Sequence, residues 1–228
     1  MIINATNNNV VVSNDITSMN FKVKASAKAF KILSSNIYRD KISAPIRELI
    51  CNAVDSHVAA KNNKPVIVHL PTELEPTFYV QDFGTGLSDK EINSLYTTYF
   101  DSNKTDSNDY TGALGLGSKS PFCYIDTFNV VSIKNGKKGT YVAFIDEQGM
   151  PSITTMSIVD TKEPNGVKVE FAVKQDDFWS FERRLADFAY YCNFPLQVLN
   201  GTLSENIYEL EENQNYKHKN FVLCDNQN

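Results

Sequence analysis

The sequence predicts an α+β fold, a two-layer sandwich of a mostly antiparallel mixed sheet with helices on one face. Three observations carry this. Helix-period patterns dominate the first hundred residues, four β-rich segments follow in close succession between residues 127 and 173, and glycines punctuate the gaps between them. Helices first and a run of short-connected strands later is the order of an α+β domain, not of alternating βα units.

In chain order, Ser26 is placed to cap a short helix through Phe30 and Leu33. A longer helix starts near Ser43, with Pro45 in its first turn where a missing N–H costs little, and runs to about Ala60. Pro65–Leu70 and Thr77–Gln81 read as neighbouring strands set apart by Pro71 and Pro76. Ser88 and Glu91 form a capping box that opens a helix ending near Phe100. The polar stretch Asp101–Thr111 is a loop. Strands are expected at Thr127–Lys134, Thr140–Asp146, Ser152–Val159 and Val167–Val173, with Gly136, Gly139, Gly149 and Gly166 in the turns. Asp176 or Asp177 caps a last helix whose stripe is Phe178, Phe181, Leu185 and Phe188. Residues 1–24 form an N-terminal strand segment, 25–200 the main domain, and 201–228 an acidic linker or the start of another unit.

Composition narrows the function classes. With 42% apolar residues and 25 Phe and Tyr together, 228 residues can build one sizeable core. A formal charge of -5 argues against a general nucleic-acid binder. Cys51, Cys123, Cys192 and Cys224 have no CxxC spacing and read as small buried apolar groups, not a disulfide frame or a zinc site. Met1–Val12 lacks the basic start and apolar core of a secretory signal, and no apolar run reaches the ~20 residues needed to span a bilayer. A cytoplasmic protein is expected, at most peripheral on a membrane.

Three segments carry chemistry. On the helix from Ser43, Ile46, Leu49, Ile50, Ala53 and Val54 form an apolar face. Glu48, Asn52 and Asp55 follow i, i+4, i+7 spacing on the other face. Alone, that polar face reads equally as solvated surface. The absence of a Lys partner suits it better to a hydrated cation, because magnesium takes a few oxygen ligands and keeps several waters. Next, Asp82-Phe-Gly84-Thr-Gly86 directly follows an alternating strand. A carboxylate there can accept from the exocyclic amine of a base, and glycines let backbone approach a flat ligand. The same letters serve as a simple turn, and the Asp-Phe-Gly of protein kinases is excluded because no His-Arg-Asp loop or Val-Ala-Ile-Lys strand accompanies it. Third, Gly112-Ala-Leu-Gly115-Leu116-Gly117-Ser118-Lys119-Ser120 suits a phosphate cradle at a helix start. Its spacing is neither that of a Walker loop nor that of a dinucleotide fingerprint. Lys104, in the preceding loop, reads either as an outer-phosphate contact or as a solvated lysine.

Together, Glu48-x3-Asn52-x2-Asp55, Asp82-x-Gly84-x-Gly86 and Gly112-x2-Gly115-x-Gly117-x2-Ser120 resemble the GHKL (Bergerat-fold) superfamily of gyrase B subunits, sensor histidine kinases, heat-shock chaperones and MutL proteins. The resemblance spans residues 25–195. The string Gly115–Phe122, with Arg47–Ile50 and Ser107–Asp109, is similar to a phage branch, the rapid-lysis A family that protects against prophage-induced early lysis.

The resemblance implies ATP and magnesium as cofactors. Glu48 would be the general base, Asn52 the magnesium ligand, and Asp82 the adenine reader with Leu87 against the ring. Asp55 and Ser56 would line the pocket beside Gly84 and Gly86. Gly112, Gly115, Leu116 and Gly117 would form a lid, and Ser118, Lys119 and Lys104 would face the phosphates. It further implies weak hydrolysis, since relatives draw a Lys or Arg from a following domain. The partner would be an unidentified host or phage protein or a second copy of the chain, in lysis timing or in countering host exclusion. One departure is Asn165-Gly166-Val167, where many members carry a hydroxyl that helps hold the adenine-binding Asp; its loss costs about 1 kcal/mol, or roughly fivefold in affinity. A non-hydrolysing interaction module is the alternative. A histidine kinase is disfavoured, because His57, His69 and His218 lie in no phosphoacceptor helix and His57 faces the core.

Overall fold

The computed structural model describes residue 30, residues 38–97 and 117–201, and the strands at 214–218 and 221–224. Helix α1 (Ser43–Ala60) leads to β1 (Val66–His69), β2 (Thr77–Gln81) and α2 (Asp89–Thr97). A 3-10 helix (Gly117–Cys123) precedes β3 (Thr127–Lys134), β4 (Lys137–Ile145), β5 (Pro151–Asp160) and β6 (Gly166–Ala172). Helix α3 (Phe178–Ala189) and β7 (Leu196–Leu199) follow, and β8 (Gln214–His218) pairs with β9 (Phe221–Cys224) as a separate hairpin.

Seven strands form one sheet in the order β5-β4-β3-β6-β2-β1-β7. Every pairing is antiparallel except β1 with β7. This is the expected mostly antiparallel mixed sheet. Its inward face presents Val66, Val68, Phe78, Val80, Phe128, Val130, Val169 and Phe171, all buried, against Ile46, Leu49, Ile50 and Ala53 of α1 and Phe181 and Leu185 of α3. The strand alternation and the helical stripes therefore meet in one core. Phe181 sits at its aromatic centre, 5.2 Å from the rings of both Phe78 and Tyr124.

Local chemistry explains most boundaries. Asp40 opens α1: its Oδ1 accepts from the N–H groups of Ile42 and Ser43 at 3.0 and 2.9 Å. Lys61 closes the helix in the left-handed region, at φ 52°. The capping box is present, with Ser88 N–H donating to Glu91 at 2.7 Å. Lys134 reaches the same carboxylate at 2.7 Å, and together these donors hold Glu91 down to about 2.

Four expectations need correction. The strand placed from Thr140 begins at Lys137, because Asn135 and Gly136 (φ 52° and 78°) make a two-residue hairpin whose positive angles suit Asn-Gly. Gly139 is inside β4, where the Tyr141 ring lies over it and leaves no room for a Cβ. Gly166 opens β6 and is not in a turn. Asp177 occupies the position before α3, but its carboxylate accepts from the Tyr124 hydroxyl at 2.7 Å and caps nothing. Phe30 is helical and buried, as its expected helix requires. The rest of that helix, the N-terminal strand segment, the 101–111 loop and the end of α2 towards Phe100 lie outside the described residues.

Phe181→Ala removes a fully buried ring from between two other aromatic side chains. The expected cost is about 3–5 kcal/mol in a chemical-denaturation midpoint analysis, against under ~0.5 kcal/mol for a change at exposed Leu74.

Candidate functional site

Asp82 follows directly on β2, which lies inside the sheet between β1 and β6. Its backbone N–H donates to Val167 O at 2.9 Å, so the chain leaves the sheet only after that bond. The side chain is 6% exposed. Oδ1 accepts from the Gly84 N–H at 2.8 Å and from the Ser56 hydroxyl at 3.2 Å. Burial pushes the carboxyl up to about 6, opposed by the hydrogen bonds from Gly84, Ser56 and the Val167 backbone. An ionised carboxylate offers about four lone-pair sites, so acceptor capacity remains for an incoming N–H.

The turn after Asp82 is bound by close backbone approaches. A Cβ on Gly84 would come within 2.1 Å of Ser56 Oγ and 2.5 Å of its carbonyl carbon. Gly86 adopts φ 64°, and a Cβ there would fall 1.9 Å from the Ile133 oxygen. On the other side, a Cβ on Gly166 would meet the Asp82 oxygen at 2.1 Å. Leu87 is fixed by Ser132, whose hydroxyl accepts from its N–H at 2.8 Å and donates to its carbonyl at 2.7 Å. Ser56, from α1, serves Asp82 and also accepts the Thr85 N–H at 3.2 Å.

Glu48 and Asn52 lie one helical turn apart on α1, both half-buried. Arg47 donates to Glu48 Oε1 at 3.1 Å. Gly117 arrives at this pair from the other end of the sequence: a Cβ on it would stand 2.8 Å from Glu48 Oε2 and 3.2 Å from Asn52 Nδ2. The missing side chain leaves a cradle beside two oxygen-bearing groups, a donor set that fits magnesium with most of its waters retained. Asp55 is buried, so the polar side of α1 is not a solvated face. Among the described residues, no three His, Cys, Asp or Glu cluster as a metal-ligand group.

The 3-10 helix carries the remaining described candidates. Lys119 is buried and its Nζ donates to the Leu95 carbonyl of α2 at 2.6 Å. The hydroxyls of Ser118 and Ser120 are buried without a hydrogen bond, a cost of about 1–3 kcal/mol each that a bound acceptor would relieve. Lys104, Gly112, Gly115 and Leu116 lie outside the described residues.

Two further residues hold the site. His57 Nε2 accepts the Phe83 N–H at 2.7 Å, and Asn62 Nδ2 donates to the Phe83 carbonyl at 2.7 Å. The apolar pattern identifies His57 as core-facing, and it is fully buried. Its bond to the loop had no signal in the sequence, since the partner is a backbone group 26 positions away.

Residues 41–165 match the sequence model of the family described as histidine kinase-, DNA gyrase B-, and HSP90-like ATPase. No curated protein is significantly similar to the chain.

Asp82→Asn keeps the shape and removes a buried charge. Because the folded carboxyl titrates above its ordinary value, its ionisation costs stability above about pH 6, and the cost fades as pH falls from there towards 3.8. The ligand-free variant is therefore expected to be more stable than wild type at pH 7.5, by on the order of 1–3 kcal/mol. That gain should shrink towards pH 4 in thermal unfolding; a less stable variant at pH 7.5 would contradict the assignment.

Proposed function

We propose that the chain, which belongs to the histidine kinase-, DNA gyrase B-, and HSP90-like ATPase family, binds ATP with magnesium and hydrolyses it slowly. The observation that carries this reading is the meeting of Gly117 with Glu48 and Asn52, which brings the last lid glycine onto the general base and the metal ligand. Asp82 accepts from the adenine amine, Leu87 packs on the ring, and Gly84 and Gly86 admit the flat base without a Cβ in its path. Asp55 and Ser56 complete the wall below it. Asn52 would hold magnesium through its amide oxygen, and a bound ion would supply charge neutralisation at the phosphates.

Glu48 orients a water at the outer phosphate and takes its proton as the oxygen attacks. Ser118 offers its orphaned hydroxyl to a phosphate oxygen. Lys119 joins it on leaving Leu95, and Lys104 and the glycines 112, 115 and 117 close over the nucleotide as a lid. Closure would create or hide a surface for a protein partner, which is how differential binding becomes a switch. Residues 25–200 form the nucleotide domain. Similarity of the 115–122 string to the rapid-lysis A family supports a setting in a phage-infected bacterium, in lysis timing or in countering host exclusion.

A second reading, a non-hydrolysing interaction module, is favoured by one observation: the Lys119 ammonium is already engaged with the Leu95 backbone carbonyl. Glu48→Ala separates the two. An ATPase is expected to lose about 10²-fold or more in turnover while ATP titration calorimetry gives an affinity within a few fold of wild type. Wild type that binds ATP and releases no phosphate above a protein-free control would establish the module instead.

A further inference from the structure

The peptide joining Asp82 to Phe83 is held on both of its polar sides. Its carbonyl, belonging to Asp82, lies against Gly166, where no Cβ could stand. Its N–H, belonging to Phe83, donates to His57 Nε2 at 2.7 Å. The next peptide is held too, through the Phe83 carbonyl and Asn62. A ring nitrogen accepts only when it carries no proton, so this imidazole is neutral with its hydrogen on Nδ1. Burial favours that neutral form, and the backbone of Lys64 and Asn62 opposes it only in part.

The choice of histidine here has a cost. The ring is wholly buried, edge-on to Phe194 at 5.3 Å, in a place where the apolar face of α1 would accommodate leucine. The backbone of Lys64 and Asn62 lies beside the ring, but Nδ1 completes no hydrogen bond of full geometry. A buried donor so weakly met is unfavourable, so packing alone does not account for the residue. What histidine supplies and leucine cannot is one acceptor aimed at one backbone N–H.

We propose that His57 is a positioning residue for base recognition, a neutral acceptor that fixes the Asp82–Phe83 peptide plane and so aims the Asp82 carboxylate at the exocyclic amine of the nucleotide. The inference rests on the ATP-binding reading above. Fixing the peptide plane sets the direction of the Asp82 Cα–Cβ bond, and Gly84, one peptide further on, then reaches Oδ1 with its N–H. Ser56, the neighbour of His57 on α1, completes the bracket from the carboxylate side. One helical turn of α1 therefore sets both the backbone and the side chain of the recognition group.

The test compares ATP with inosine triphosphate, whose ring carries a carbonyl where adenine has the amine, each titrated with magnesium at one fixed pH into wild type, His57→Leu and His57→Gln. Thermal unfolding checks that each variant folds. Wild type is expected to prefer ATP by at least tenfold. His57→Leu should lose most of that preference while its affinity for inosine triphosphate stays within about threefold, and His57→Gln, with an acceptor oxygen near the same place, should recover it at least in half. Nitrogen-15 spectra of the wild-type imidazole should report a bare Nε2 and a protonated Nδ1. Equal weakening of both nucleotides in a folded His57→Leu, or an unchanged preference, overturns the positioning role, as does a protonated Nε2. Wild type that binds neither nucleotide while Nε2 remains bare overturns the ATP reading itself, and the role falls with it.

Discussion

A carboxylate buried at the end of an interior strand is the constraint around which this domain is arranged. Asp82 cannot be moved outward, because its N–H is tied to β6 and the glycine of that strand fits against its carbonyl. It cannot be left alone either, since a buried charge without donors is strongly unfavourable. The solution draws on three elements: Gly84 from its own turn, Ser56 from α1, and the Val167 backbone from β6. Each donor needs a close approach, and at Gly84, Gly86 and Gly166 that approach leaves no space for a side chain.

Helix α1 has two tasks on two faces. Its apolar side supplies Ile46, Leu49, Ile50 and Ala53 to the core, and this packing holds the helix at a fixed height over the sheet. Its other side carries Glu48, Asn52 and Ser56 at successive turns, so the two groups that meet Gly117 and the donor to Asp82 share one rigid ruler with a rise of about 1.5 Å per residue. A site on such an element holds its spacing better than one built on loops alone. The glycine-rich segment then has only to bring Gly117 to the middle of that ruler.

The stability of the domain and the chemistry of the site pull in opposite directions at specific atoms. Asp82 is held charged against burial, Ser118 and Ser120 keep buried hydroxyls unbonded, and His57 leaves Nδ1 without a hydrogen bond of full geometry. These costs are of order 1–3 kcal/mol each, large beside the total stability of an ordinary domain. Those of Asp82, His57, Ser118 and Ser120 lie on α1, the Asp82 turn and the 3-10 helix; Thr77, on β2, also keeps a buried hydroxyl unbonded. Each such group in a folded protein calls for an explanation, and for Ser118 the nucleotide proposed above supplies one.

The sequence by itself determined the fold class, the elements of the core and the glycine-rich groups, because these rest on periodicity and on residues with restricted roles. Helix α1 was legible from Ser43 to Ala60, and so was the Ser88–Glu91 box, since both are written in local spacing. The start of β4 is written locally in Asn135-Gly136, a pair suited to the positive φ angles of a two-residue hairpin. The contacts that tertiary structure alone settles join distant segments: Ser56 donating to Asp82, His57 accepting from Phe83, Lys119 settling on Leu95, and Gly117 seated on Glu48 and Asn52. Each joins a side chain or glycine to a group at least 24 residues away. Local pattern carries no record of such pairs, because the sheet order and the height of α1 over the sheet must exist before they can form.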